Sequence, residues 1–570
     1  MKTIVDNNST KDITDSSFLY LNAHKYLKDN QVLELGPDVL SSINYSTFEE
    51  LNDFSNSSIK NKKVHEALKV DKVNFWFYWK FRLYFDLRNI NYKIEKINKV
   101  SNNEPVLLLT SSLVLKKYYN SHKKVEVRGL KNTKNTQKIA FSYLLFFGLR
   151  LIFSFFQIEF KKINPSCFLE FPQNDQPILF PNGKTIQSNY VTGYLSRSHS
   201  NKTILNDITP PKKGQSFSRK NFKLIFNIPK DHLFTEWIYI KGWIKHKASI
   251  NKGKESIQKT LIQLQQTPAN PIIITLLKSY MPSIKLILIR YFGFLVFSKT
   301  KSIKSLISYS EYSPNQKAVF DAFCTNKKET IAIQHGAIHN LHPGYIYTKA
   351  EQQENIFPSK LLLWGQYWKD LLTKTNYPIA TTKIIGQLRS DVIPYLSEKI
   401  ENENIIVFAT QPQRDENIRK KVLTDVIEAS SKLKKTILII KPHPIEKDDD
   451  YFLEVGATLG ISVIIDRSTD LYELIAKSTA LITCFSTVGI ETVYFKKPLI
   501  VLDYLNQDLQ GFIKNKIGIP VYNKSELIST LLNVENNDSG ILEEDQDLYI
   551  EYLSNKIDGK VVERALSEIN

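Results

Sequence analysis

From Lys304 onward this chain alternates short apolar runs with helix-length segments, and that alternation restricts its fold more than any other feature of its 570 residues. The runs are KSLISYSE, TIAIQHG, SKLLLWG, TKIIG, IIVFAT, TILIIKPHP, ISVIID, ALITCFS and PLIVLD. Between them lie PNQKAVFDAFCTNKK, QYWKDLLTKT, LYELIAKS and TVGIETVYF, read as helices. Apolar strands alternating with helices are the pattern of parallel βαβ units in a doubly wound sheet. The expected class is therefore α/β, and the length calls for two or three domains.

In doubly wound sheets ligands gather beyond the carboxyl ends of the strands, so the residues that leave each strand carry the functional reading. His335 and Gly336 follow TIAIQ, with His339 and His342 close behind. Gly336 allows close backbone approach, and Gly336 and Pro343 make the segment a loop rather than a helix that presents ligands on one face. A substrate-contacting cleft loop is expected there and a metal site is not. Gly386 ends TKIIG, and Arg389 after it suits a phosphate or carboxylate. Thr410, Gln411 and Arg414 follow IIVFAT, where a solvated loop competes with a ligand contact. In Lys441-Pro442-His443-Pro444 two prolines restrict a strand-end histidine placed to meet a phosphate or act as an acid, and Lys441 adds charge. Ser486 and Thr487 open a strand-to-helix turn that suits a phosphate, or simply cap the helix, and Glu491 one turn on suits ribose hydroxyls. Glu311, after KSLISYS, is a candidate base for an acceptor hydroxyl.

The first 300 residues say less. FLYLN and PVLLLTSSLVL read as strands, FEELNDF as an exposed helix and VNFWFYWKFRLYFDLRNI as a core helix. Residues 173–222, with PPKKGQ inside, read as long loops or an insertion. Ile139–Phe160 could span a bilayer by length, but Arg150 in its middle is costly in lipid. A buried or semi-buried helix is expected first, docking on a membrane surface second and a span last. Pro271–Ser298, also apolar, is interrupted by Lys278, Pro282, Lys285 and Arg290. The net charge of +18 calls for an anionic partner or reflects a Lys-rich composition. No RNA-recognition or zinc-finger pattern appears, so nucleic acid is not an expected partner. Cys167, Cys324 and Cys484 form no CxxC pair, and the N-terminal segment lacks a signal-peptide h-region, so a reducing, cytoplasmic setting is expected.

QHG, LLLWG, IIGQLRSD, KPHP and STVGIE followed by KKPLIVLD occur in one order. That order resembles GT-B glycosyltransferases of bacterial capsule and surface-polysaccharide synthesis, nearest the capsular Kdo-transferase and polysialyltransferase-like groups. The resemblance spans about Lys304 to Asp503. It implies two Rossmann-like domains facing across a cleft, an acceptor-side domain at 1–345 with extra helices and long loops, a donor-side domain at 346–530 and a helical tail at 531–570. It implies transfer of a sugar from a nucleotide-activated donor, CMP-linked and of the Kdo or sialic-acid type, to a polysaccharide or glycolipid, without metal or other cofactor. His443 would contact the donor phosphate and serve as acid, Ser486 and Thr487 would bind donor phosphate or carboxylate, and Glu491 would hold the nucleotide. Peripheral attachment to the inner face of the membrane would suit a glycolipid acceptor. UDP-N-acetylglucosamine 2-epimerases are similar in VFATQPQRDEN, but CFSTVGIE stands where they carry a DSGG-like turn. CDP-glycerol-using glycerophosphotransferases share the KPHP-like and Ser/Thr-like features. A non-catalytic nucleotide-sugar-binding scaffold is the alternative of another class.

Overall fold

The computed structural model describes every residue except 7–17, 22–32, 34, 131–140, 173–174, 209–224, 227, 268–269, 412–415, 444–445, 447, 505, 507, 509, 537, 539, 541–542 and 570. Arg414, Pro444 and PPKKGQ, singled out above, lie wholly or mainly outside the described residues.

The apolar runs become strands of parallel sheets. Seven strands form one sheet in the order His232–Phe234, Lys202–Asn206, Ser166–Glu170, Ser305–Tyr309, Glu329–Ile333, Lys360–Leu363 and Thr382–Ile384. Six form another in the order Ile464–Ile465, Ile437–Lys441, Ile405–Ala409, Ala480–Thr483, Leu499–Leu502 and Ile519–Val521. Ser305–Tyr309 and Ile405–Ala409 are buried at every position, as a strand covered by helices on both faces must be. Ile406, Phe408, Val426, Ile440, Ile482 and Leu531 pack the core of the six-stranded unit. Each such side chain contributes about 1.5–3 kcal/mol on burial.

Register sets the site. Ile333 pairs with Tyr309 and with Leu362, so residues 310–312 and 334–336 leave the seven-stranded sheet side by side. Ala409 pairs with Lys441, and Phe408 with Ile482, which brings residues 410–411, 442–443 and 484–487 together in the same way.

Three expectations change. Lys360–Leu363 and Thr382–Ile384 belong to the seven-stranded sheet, so the sheets divide between residues 384 and 405 rather than at 345. The run of βαβ units gives no sequence signal at the point where one sheet ends and the next begins. A third parallel sheet, ordered Leu19–Tyr20, Lys2–Val5, Val106–Thr110 and Val125–Gly129, stands in the first 130 residues. Within 173–222, Asp175–Leu179 and Thr185–Asn189 form an antiparallel hairpin, Gly193–Ser198 a helix and Lys202–Asn206 an interior strand. Only part of that stretch is loop.

Phe75–Ser101 is the expected core helix. Asn74 caps it by accepting from the Trp76 N–H, and Phe75, Trp76, Phe77, Tyr78 and Trp79 are all buried. Phe141–Phe160 is helical, and Arg150 within it pairs with buried Glu236. Pro271–Ser279 and Met281–Phe297 are two helices bent by 54°, and no single helix among the described residues is long and apolar enough to cross a membrane. The expected helical tail does not stay with the second sheet. Its last helix, Val561–Ser567, returns to the first, where Asp391 accepts from the Val561 and Val562 N–H groups at 2.7 and 2.8 Å.

Candidate functional site

The strand ends of the two large sheets meet in a cleft of about 140 Å³. Gln334, His335, Gly336 and Trp364 line it from one sheet, Gln387 and Arg389 from the segment after that sheet's last strand, and Thr487 and Glu491 from the other sheet. Five sequence candidates, His335, Gly336, Arg389, Thr487 and Glu491, thus come together although they are spread over more than 150 residues.

His335 is held on one side only. Its Nε2 lies 3.1 Å from the Ser310 hydroxyl and 3.4 Å from that of Tyr312, while Nδ1 is buried without a hydrogen-bond partner. Burial pulls its pKa down to about 4, so the imidazole is neutral at physiological pH. Gln334 fixes the loop: its Oε1 accepts from the Trp364 N–H and its Nε2 donates to the Gly336 carbonyl, both at 3.0 Å. A Cβ on Gly336 would meet nothing within 4 Å, so the glycine faces open space.

Across the cleft runs a charged seam. One Arg389 nitrogen donates to both Asp470 oxygens, at 2.9 and 2.8 Å, and the guanidinium lies 4.2 Å from the centre of the Tyr472 ring. Glu491 is half-buried at the cleft wall and accepts from the Tyr472 hydroxyl at 3.0 Å and from Gln387 at 3.3 Å. Burial raises its pKa, while the Arg389 charge and these hydrogen bonds oppose the rise. Asp470 also caps the helix Leu471–Lys477 by accepting from the Tyr472 N–H. Gln387, Asp470 and Tyr472 were missed in the sequence. For Asp470 the readable signal was a helix cap, STDLYEL; for the other two there was none.

The remaining candidates stand elsewhere. Glu311 lines a separate cavity of about 10 Å³ with Phe77, Lys80 and Lys317, so the expected cleft position is corrected. Neither of its oxygens meets a partner in hydrogen-bond geometry, and burial lifts its pKa to about 7 against the weaker pull of its own backbone N–H and the Lys317 charge. The backbone turns at Ser310, which has φ +53°, and sends residue 312 rather than 311 toward His335. Gly386, with φ +105°, is needed where a Cβ would strike Val561 at 2.8 Å, a packing role against the returning helix. Lys441 donates to the Thr469 carbonyl at 2.6 Å, and burial lowers its pKa against the charges of Asp466 and Asp470. His339 is exposed and its Nδ1 accepts from the Leu341 N–H, away from the cleft lining.

His443 is half-buried at its strand end, where its N–H donates to the Thr410 hydroxyl at 3.1 Å and to Glu446 at 3.3 Å. Burial lowers its pKa and Glu446 works the other way. Gln411 accepts from Thr483 at 3.1 Å and from the Phe485 N–H at 3.3 Å, bracing the turn that carries Ser486, whose hydroxyl accepts from the Val488 N–H. Among the described residues no cluster of three His, Cys, Asp or Glu side chains could hold a metal ion.

Two facing Rossmann-like parallel sheets with strand ends turned to a shared cleft are the GT-B arrangement. Residues 399–569 match the family model described as CDP-Glycerol:Poly(glycerophosphate) glycerophosphotransferase, and the chain is a transferase. No curated protein matches the chain. Among solved structures, UDP-GlcNAc 2-epimerase from Neisseria meningitidis, with UDP-GlcNAc bound, is similar at 11% identity and TM-score 0.44, over 70% of this chain and 100% of that one. UDP-GlcNAc 2-epimerase from Methanocaldococcus jannaschii is similar at 13% identity and TM-score 0.43, over 71% and 99%. A variant of the wall teichoic acid polymerase TagF is similar at 12% identity and TM-score 0.42, over 75% and 94%.

Proposed function

We propose that the chain transfers a group from a cytidine-nucleotide donor to a hydroxyl of a cell-surface polymer and releases CMP. The observation that carries this is the family match at 399–569, which takes in the six-stranded sheet and its cleft residues Thr487 and Glu491. The description of that family names CDP-glycerol, so the first reading is transfer of a polyol phosphate. The acceptor oxygen attacks the β-phosphorus, the bond from that phosphorus to the bridging oxygen breaks, and CMP leaves with that oxygen. His335, neutral and with Nδ1 unpaired, takes the acceptor proton. His443, at its strand end, donates to the departing phosphate.

The ordered KPHP and STVGIE motifs favour a second reading, a CMP-linked sugar of the Kdo or sialic-acid type. The acceptor oxygen then attacks the anomeric carbon and the sugar C–O bond breaks, but CMP is again the leaving group. Both readings ask the six-stranded side to hold the same product. The test is incubation of the purified protein with acceptor polymer and, separately, CDP-glycerol or a CMP-sugar, followed by CMP release and the mass added to the acceptor. Donor-dependent CMP release, lost in His443→Ala, supports the proposal, and the added mass selects between the readings. No CMP from either donor overturns it.

A further inference from the structure

Ser310 holds a backbone conformation that serine seldom takes. It leaves the strand Ser305–Tyr309 at φ +53°, in the left-handed region where glycine or asparagine is at ease and serine is strained. The turn itself needs only main chain there: the Ser313 N–H donates to the Ser310 carbonyl at 2.8 Å, which a glycine would accept equally well. Strain of this kind persists where the side chain has a task. What glycine would lack is the hydroxyl, and that hydroxyl lies 3.1 Å from His335 Nε2.

A neutral imidazole has one N–H and one lone pair, and the partner at one nitrogen decides what the other can do. Both partners of His335 sit at Nε2. Tyr312 is the longer contact, at 3.4 Å, and it cannot close in. Its ring is wedged among Phe81, His342 and Tyr345, with centroids 4.8, 4.9 and 5.3 Å away, and lies so near Gly344 that a Cβ there would strike it. Ser310 is therefore the closer partner. With Nε2–H donated to the Ser310 oxygen, the lone pair falls on Nδ1, which has no partner. The opposite tautomer would leave a buried N–H without an acceptor and the ring without a base at that nitrogen.

We propose that Ser310 is a positioning residue for His335: its oxygen accepts the Nε2–H and so keeps the lone pair on Nδ1. This rests on the transfer reading above, in which His335 takes the acceptor proton. Once that proton is on Nδ1, the ring carries an N–H on each nitrogen and one positive charge. The Nε2–H stays on Ser310 until Nδ1 gives its proton to water. The test measures CMP release by the full chain with acceptor polymer and CDP-glycerol or a CMP-sugar. Ser310→Ala keeps the strained turn and Ser310→Gly relaxes it, so the two variants share only the missing hydroxyl. In both, kcat should fall about a hundredfold, with KM for donor and acceptor held within about twofold. Ser310→Gly should nevertheless melt no lower than Ser310→Ala. Ser310→Asn, at ease in the left-handed region and carrying a carbonyl oxygen, should regain about tenfold of the lost rate. Tyr312→Phe should cost about threefold, less than either loss of the serine hydroxyl. A Ser310→Gly enzyme with wild-type kcat overturns the inference, as does a loss carried by KM, a Ser310→Asn enzyme as slow as Ser310→Gly, or a Tyr312→Phe enzyme slower than both. A wild type that releases no CMP from either donor removes the transfer reading and this inference with it.

Discussion

The cleft has two sides tuned by opposite means. Around the strand ends at 305–335, His335 and Glu311 are shifted chiefly by burial. His335 is driven down to about 4 with one nitrogen unpaired, and neighbouring Glu311 is driven up to about 7 with neither oxygen paired. In the seam from 387 to 491, charges are set by each other: Arg389 with Asp470, and Glu491 with Tyr472 and Gln387. A group tuned by burial is neutral and poised to trade a proton. A group tuned by pairing keeps its charge and holds geometry, and here it joins segments from two sheets. The comparison assigns proton transfer to the first side and positioning to the second.

The largest expected effect tests the first side. His335→Ala should lower the transfer rate by about a thousandfold, about 4 kcal/mol in the barrier. Its melting temperature should hardly move, because the histidine is already short of partners. The steady-state rate and the melt, measured on the same preparation, check both halves, and a variant with full activity would remove His335 from proton transfer. Asp470→Ala should do the reverse. It leaves Arg389 with Glu491 as its remaining negative neighbour and should cost about 3 kcal/mol of stability, read by chemical denaturation. If Asp470→Ala melts like wild type, the seam does not hold the two sheets in place.

How far the sequence carried depended on how local each cause is. Strand runs such as IIVFAT and ALITCFS were legible because a strand buried on both faces must be apolar throughout. The same rule pointed to residues after strands, and so reached His335, Thr487 and Glu491 without a structure. It failed at Glu311, where the left-handed turn at Ser310 decides which of two neighbouring side chains faces the cleft. Gly386 was found for the wrong reason, since its partner Val561 lies 175 residues away and belongs to a helix that no local pattern ties to it. Tyr472 and Gln387 carry no signal of their own, because their role exists only once Glu491 arrives from another strand. Parallel sheet in the first 130 residues was half legible: FLYLN and PVLLLTSSLVL read as strands, but Lys2–Val5 and Val125–Gly129 are too short to show a period.

The smallest expected effect sharpens the burial side by its dependence on pH. The Glu311 carboxyl has a pKa of 4.5 when exposed, and burial pushes it up to about 7 in the folded protein. Below pH 4.5 it is protonated in both states and costs nothing. As pH rises from 4.5 through 7 the unfolded chain releases its proton first, so the folded state loses stability over that window and stays lower above it. The shift amounts to about 2–3 kcal/mol. Glu311→Gln keeps the shape and cannot ionise. Its stability relative to wild type should therefore climb between pH 5 and pH 8, by denaturant midpoint at each pH, and then level off. A gap that stays constant with pH would mean that Glu311 is ionised when folded. Lys317, which lines the same cavity and already pairs with Asp321, would then serve Glu311 as well, and this cavity beside the cleft would be tuned by pairing like the seam.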